Sequence, residues 1–240
     1  MNQQPKYRRI LLKLSGEALA NGQKDSILDF TFIDQVAAVL KKCLAAGVEI
    51  GIVVGAGNIW RGLAGAGDGM DRVTADHMGM LATTMNALCL KDAFKAAGIK
   101  ANVHCSVDMQ PFAKKFDLDA ADEQLKNGEL VIYAGGTGSP FFTTDTTAAL
   151  RALETKCGAV MKATKVNGIY TADPMKNPNA KKFDKLTFAE AINGRFKVMD
   201  SAAFSLCSDN DLAIIVFNFD EDGALAKVLN GDFSVGTVVS

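Results

Sequence analysis

The chain has 240 residues, 48% of them hydrophobic and 22% charged, enough to bury a full core in one domain or two intimate lobes. With 26 Lys+Arg against 27 Asp+Glu, the formal net charge is -1, so no whole-molecule field draws the chain to nucleic acid or an anionic membrane. Five scattered cysteines (Cys43, Cys89, Cys105, Cys157, Cys207) without a Cys-x-x-Cys pair fit a reduced cytosol and argue against a disulfide scaffold or thiolate zinc cluster. The polar, basic start has no apolar signal core behind it, and no run reaches the roughly 20 apolar residues of a bilayer span, so a cytoplasmic protein is expected.

Taken in order, short apolar or β-branched runs at 10–14, 48–54, 99–104, 130–133, 159–162 and 212–219 read as buried strands. Between the first two, Ile33, Val36, Ala37, Leu40 and Leu44 recur at helical spacing, and Gly47 stands where a helix ends. Met78, Leu81, Ala82, Met85 and Cys89 mark a second helix ending at Gly98, its apolar stripe expected to pack in the core. Helices alternating with strands predict a mainly parallel sheet covered on both faces, within one domain over 1–240. The segment 164–184, with Pro174, Pro178 and several Asn and Lys, reads as a long exposed loop, and 62–69 as a glycine-rich hinge.

Glycine-bearing turns follow three of these strands: Leu14-Ser15-Gly16, Gly55-Ala56-Gly57-Asn58 and Gly135-Gly136-Thr137-Gly138. In a parallel sheet they share the carboxyl edge, where backbone N–H groups freed by glycine can approach phosphate oxygens. Lys13 and Lys162 close apolar strands and Arg61 follows the second turn; a lysine in that position calls for an anion unless it merely reaches the sheet edge. Asp145 opens a helix expected over 146–157, where it either caps the helix or orients the two lysines. With only His77 and His104, a histidine metal site or Ser-His-Asp triad has little support. The Gly-x-x-x-x-Gly-Lys-Ser/Thr loop is absent, and Trp60 occupies the third glycine position of a dinucleotide fingerprint.

Longer blocks carry a resemblance. Lys13-Leu14-Ser15-Gly16-Glu17-Ala18-Leu19, Gly57-Asn58-Ile59-Trp60-Arg61-Gly62, Asp76-His77-Met78-Gly79-Met80, the run from Gly136 to Asp145 and the run from Lys162 to Pro174 resemble the bacterial UMP kinases of the amino acid kinase family. The resemblance runs in order from about residue 8 to the C-terminus. It implies a three-layer α/β/α sandwich and transfer of the γ-phosphoryl group of ATP to UMP in pyrimidine nucleotide biosynthesis, with Mg²⁺ held mainly by the ATP phosphates and not by a protein metal site. By motif position it assigns Lys13, Leu14, Ser15, Gly16, Gly57, Arg61, Thr164, Tyr170 and Asp173 to ATP. Ala56, Asp76, Thr137, Gly138, Ser139, Pro140, Phe141, Phe142, Thr143 and Thr144 go to UMP, with Lys13, Lys162 and Asp145 as the catalytic set. A phosphate nucleophile needs no general base, which agrees with the scarcity of histidine. A homohexamer with UTP as feedback inhibitor is also implied.

This chain departs from the family pattern at Ala56, where many relatives have glycine, and at 21–26, a short segment with one glycine that argues against GTP activation. The competing readings are a carboxylate or carbamate kinase of the same superfamily and a non-catalytic nucleotide-binding or storage protein on the same scaffold.

Overall fold

The computed structural model describes residues 5–20, 26–60, 69–196 and 198–240. Strand β1 (Arg9–Leu14) runs into a single helical turn, α1 (Gly16–Leu19), and α2 (Phe30–Ala45) returns the chain to β2 (Glu49–Val54). Asp29 starts α2 by accepting the N–H groups of Thr31 and Phe32, and Gly47 ends it in the left-handed conformation. The long α3 (Arg72–Ala96) then leads to β3 (Ala101–Cys105), β4 (Lys114–Lys115), α4 (Leu118–Lys126) and β5 (Leu130–Ala134). Next come α5 (Thr144–Glu154), β6 (Ala159–Thr164), β7 (Ile169–Tyr170), β8 (Lys182–Phe183) and β9 (Lys185–Leu186). The chain closes with α6 (Phe188–Asn193), α7 (Ser201–Asp209), β10 (Ala213–Asn218), α8 (Ala224–Leu229) and β11 (Gly236–Val239).

Among the described residues, nine strands form one sheet in the order β4-β3-β5-β2-β1-β6-β10-β11-β9, parallel throughout except for β11 against β10. The period-2 alternation of β1 divides two cores. Ile10, Leu12 and Leu14 face α2, α3 and α8, whereas Leu11 faces α4, α5 and α7. Lys13 follows Leu11 by two residues and so projects toward α5. The expected sandwich and mainly parallel sheet are both present.

Two expectations need correction. The stripe expected to pack from α3 does so only in part: Ala82 is buried and Cys89 packs against the core, but Leu81 is 55% and Met85 53% exposed. The buried face instead carries Ala75, Met80, Thr83, Thr84, Asn86, Ala87, Leu90 and Phe94. Polar residues lie inward because they hold the glycine turns. Thr83 Oγ1 accepts the Gly135 N–H at 3.0 Å, and Asn86 Nδ2 donates to the Gly55 carbonyl at 2.8 Å. The segment 164–184 is also not an irregular loop, since β7 and β8 pair antiparallel within it. The hinge expected at 62–69 and the segment 21–26 lie outside the described residues except for Gly69 and Ser26.

Cys43, Cys105, Cys157 and Cys207 are buried. Burial pushes the Cys43 and Cys157 thiols up to about 11 and the Cys207 thiol to about 12, so they stay protonated and inert.

Candidate active site

The turns after β1, β2 and β5 meet at one edge of the sheet, as the pairings of Leu14 with Val54 and of Val53 with Tyr133 require. They are packed too tightly for a side chain at Gly16, whose Cβ would lie 2.5 Å from the Gly55 carbonyl and 2.7 Å from the Gly57 nitrogen. Lys13 and Lys162 are register partners on β1 and β6, so both ammonium groups project on the same face at the same height.

Asp145 lies between them. Its Oδ1 is 2.8 Å from Lys13 Nζ and its Oδ2 is 2.7 Å from Lys162 Nζ, while Lys162 also donates to the Val198 carbonyl at 2.8 Å. Burial alone would push the Asp145 carboxyl up, but the two ammonium groups outweigh it and hold the group below the usual carboxylate range. Asp145 does not cap its helix. That role belongs to Thr143, whose Oγ1 accepts the Asp145 N–H at 3.0 Å, and α5 begins at Thr144 rather than 146.

Of three cavities at this edge, the second and third reach the lysines of the triad, and the first comes as near as Thr144, the residue before Asp145. The first, about 510 Å³, is lined by Ala56, Asp76, Thr137, Ser139, Phe142, Thr143 and Thr144 together with Trp60, Arg72 and Thr83. The second, about 270 Å³, takes in Lys13, Leu14, Ser15, Lys162 and Thr164 beside Phe32 and Phe219. The third, about 550 Å³, brings Thr164, Tyr170 and Asp173 to one wall and shares Lys162 and Thr164 with the second. Glu17 joins the first two, since it lines both. These sizes suit small organic ligands.

Of the residues grouped by sequence, Lys13, Leu14, Ser15 and Thr164 share the second cavity, Tyr170 and Asp173 the third, and Gly16 lines none of the three. Gly57 lines the first cavity rather than the second, and Gly138, Pro140 and Phe141 do not line the first. Phe141 is 65% exposed, with its backbone N–H 2.7 Å from Asp76 Oδ2 and its φ at 71°. The same Asp76 oxygen accepts Arg72 Nε at 2.9 Å, so Asp76 ties the 137–144 loop to α3. Arg61 lies outside the described residues.

Sequence reasoning missed Asp200, which accepts Thr146 Oγ1 at 3.1 Å, is also hydrogen-bonded by Thr143 and caps α7 through the Ala203 N–H at 2.9 Å. Its only signal was an aspartate ahead of a small-residue helix. Among the described residues no three His, Cys, Asp or Glu side chains converge as a metal cage. None of the described helices is long and apolar enough to cross a membrane.

This geometry has known counterparts. The model of the amino acid kinase family matches residues 8–218. The chain belongs to that family, among its uridylate kinases. The uridylate kinase of Bacteroides thetaiotaomicron is 50% identical over 234 residues, covering 98% of each chain. That of Ectopseudomonas mendocina is 48% identical over 236 residues, covering 98% of this chain and 95% of the relative. The crystal structure of UMP kinase from Bacillus anthracis superposes with a TM-score of 0.92 at 35% identity, covering 98% of this chain and 96% of that one.

Proposed function

We infer that this chain is a UMP kinase that transfers the γ-phosphoryl group of ATP to UMP, giving ADP and UDP, and that it does so as one catalytic domain over 1–240. The observation that carries the reading is the pair of in-register lysines bridged by Asp145, both of which line the second cavity, itself joined to the first at Glu17. UMP occupies the first cavity and ATP the second and third, with phosphates at the lysines and the nucleoside toward Thr164, Tyr170 and Asp173. Uridylate kinases at 48% and 50% identity over nearly the whole chain support the assignment of substrates.

A UMP phosphate oxygen forms a bond to the γ-phosphorus while the bond from that phosphorus to the β–γ bridging oxygen breaks, and ADP leaves with the electron pair. The attacking oxygen is already an anion, so no side chain takes a proton. Lys13 and Lys162 neutralise charge on the transferring group, and Asp145 holds both ammonium groups at the sheet edge before substrate arrives. Both Asp145 oxygens are engaged by lysine, which suits Mg²⁺ carried mainly on the ATP phosphates. Mg²⁺ there supplies charge neutralisation of the phosphates.

We extend the reading to a cytoplasmic homohexamer inhibited by UTP. The exposed Leu81 and Met85 stripe of α3 supports self-association, because apolar side chains in a row on a solvent face ask for cover. The deciding measurement is ADP and UDP formation by purified protein with Mg·ATP, offering UMP, CMP, dUMP, aspartate and glutamate in parallel. UDP from UMP alone is expected. Phosphorylation of an amino acid, or nucleotide binding without turnover, would replace this reading with a carboxylate kinase or a binding protein.

A further inference from the structure

We propose that Arg151, buried behind the first cavity, is a positioning residue that aims the Thr137 backbone N–H at the phosphate acceptor through Ser106. The proposal rests on the UMP kinase reading and deepens it. Arg151 projects from α5 and is only 5% exposed, an unusual place for a guanidinium. Its Nη1 donates to Glu154 Oε2 at 2.5 Å and its Nη2 to Ser106 Oγ at 2.9 Å. The guanidinium carbon lies 3.8 Å from the centroid of the Phe116 ring, and Nε has no hydrogen-bond partner among the described residues. Stacking on the ring and the single Nη1 bond to Glu154 fix the direction in which Nη2 points.

Ser106, directly after β3, donates its own hydroxyl hydrogen to the Gly136 carbonyl at 2.6 Å. Accepting from Arg151 orients that hydroxyl, since its single hydrogen is then committed to Gly136. The Gly136 carbonyl and the Thr137 N–H belong to one planar trans peptide and point to opposite sides of it. Drawing the carbonyl back onto Ser106 therefore turns the Thr137 N–H away from Ser106, on the side where Gly136, Thr137 and Ser139 line the cavity.

Neighbouring amides of the turn are already engaged. Gly135 donates to Thr83 Oγ1 at 3.0 Å, Gly138 to the Gly135 carbonyl at 3.1 Å and Ser139 to Thr137 Oγ1 at 3.2 Å. The Gly136 and Thr137 amides have no partner among the described residues, and an oxygen of the acceptor nucleotide suits them. Gly135, Gly136 and Gly138 all have positive φ, so the turn's own backbone restrains it weakly and an external anchor sets the peptide's direction.

The test uses Ser106→Ala, Arg151→Lys and the double variant in the full-length protein. Trp60 is the single tryptophan and lines the first cavity, so its emission reports UMP binding directly, beside steady-state kinetics and Tm. Each single variant is expected to raise the UMP Kd and KM about tenfold, the weight of one well-placed hydrogen bond, with the ATP KM within about twofold. The double variant should bind no worse than the poorer single one, because both act through one chain of bonds. If Arg151→Lys fails to fold, Ser106→Ala carries the test alone. A Ser106→Ala protein with wild-type UMP Kd and KM, or one whose ATP and UMP constants rise together, overturns the proposal while UDP formation by wild type leaves the kinase reading standing. Wild type that neither binds UMP nor makes UDP brings down both.

Discussion

Lys13 meets Asp145 at one oxygen and Lys162 meets it at the other, so the triad holds two cations against one anion. Losing Lys13 would remove one preorganised positive charge from the transferring phosphoryl group. We expect Lys13→Ala to lose about 3 kcal/mol of transition-state stabilisation, on the order of a hundredfold in kcat, with folding intact by circular dichroism. A near wild-type kcat would remove Lys13 from the catalytic set. The triad also predicts an acid limit. The folded pKa of Asp145 lies below its unfolded value of about 3.9, so its contribution to stability is whole above that pH and is lost as pH falls through the folded value. His104 acts earlier. Burial holds its pKa below the usual imidazole value despite the Gln124 hydrogen bond, so stability falls once pH drops below about 6.5. Urea midpoints between pH 8 and 5 should decline in wild type and decline less in His104→Gln.

At the scale of the element, the site depends on how closely three turns approach. Gly16→Ala would set a methyl group 2.5 Å from the Gly55 carbonyl, and backbone on both sides leaves it nowhere to go. The cost expected for such overpacking is about 1–3 kcal/mol, read as a lower urea midpoint, together with loss of activity toward both substrates. Much of this was legible in sequence. Apolar strands ending in Lys13 and Lys162, together with the glycine turns after three of the strands, mark a phosphate edge without any structure. The α3 stripe was not legible, because hydropathy ranks Leu81 and Met85 above Thr83 and Asn86, whereas the site needs hydroxyl and amide groups facing inward to satisfy Gly135 and Gly55. Asp200 and Arg151 were invisible for a similar reason. Their partners, Thr146 and Ser106, lie 54 and 45 residues away, and no local pattern links them.

Across the whole molecule, the apolar stripe turned outward on α3 bears on assembly. Leu81→Glu with Met85→Glu should convert the proposed hexamer into smaller species in sedimentation velocity while the fold persists, since neither side chain belongs to the buried core. A wild-type chain already monomeric at micromolar concentration would refute the assembly. The sheet order has a further consequence, for synthesis. The first strand made, β1, ends in the middle of the sheet, between β2 and β6. On the ribosome it can pair with β2 soon after emerging, but β6 arrives roughly 150 residues later, about 8 to 30 s at ordinary elongation rates. Throughout that interval one edge of β1 is bare, and Lys13 has neither Lys162 nor, for most of it, Asp145 beside it. A nascent chain stalled before residue 159 therefore offers an open apolar strand edge, which makes it a natural client for ribosome-associated chaperones.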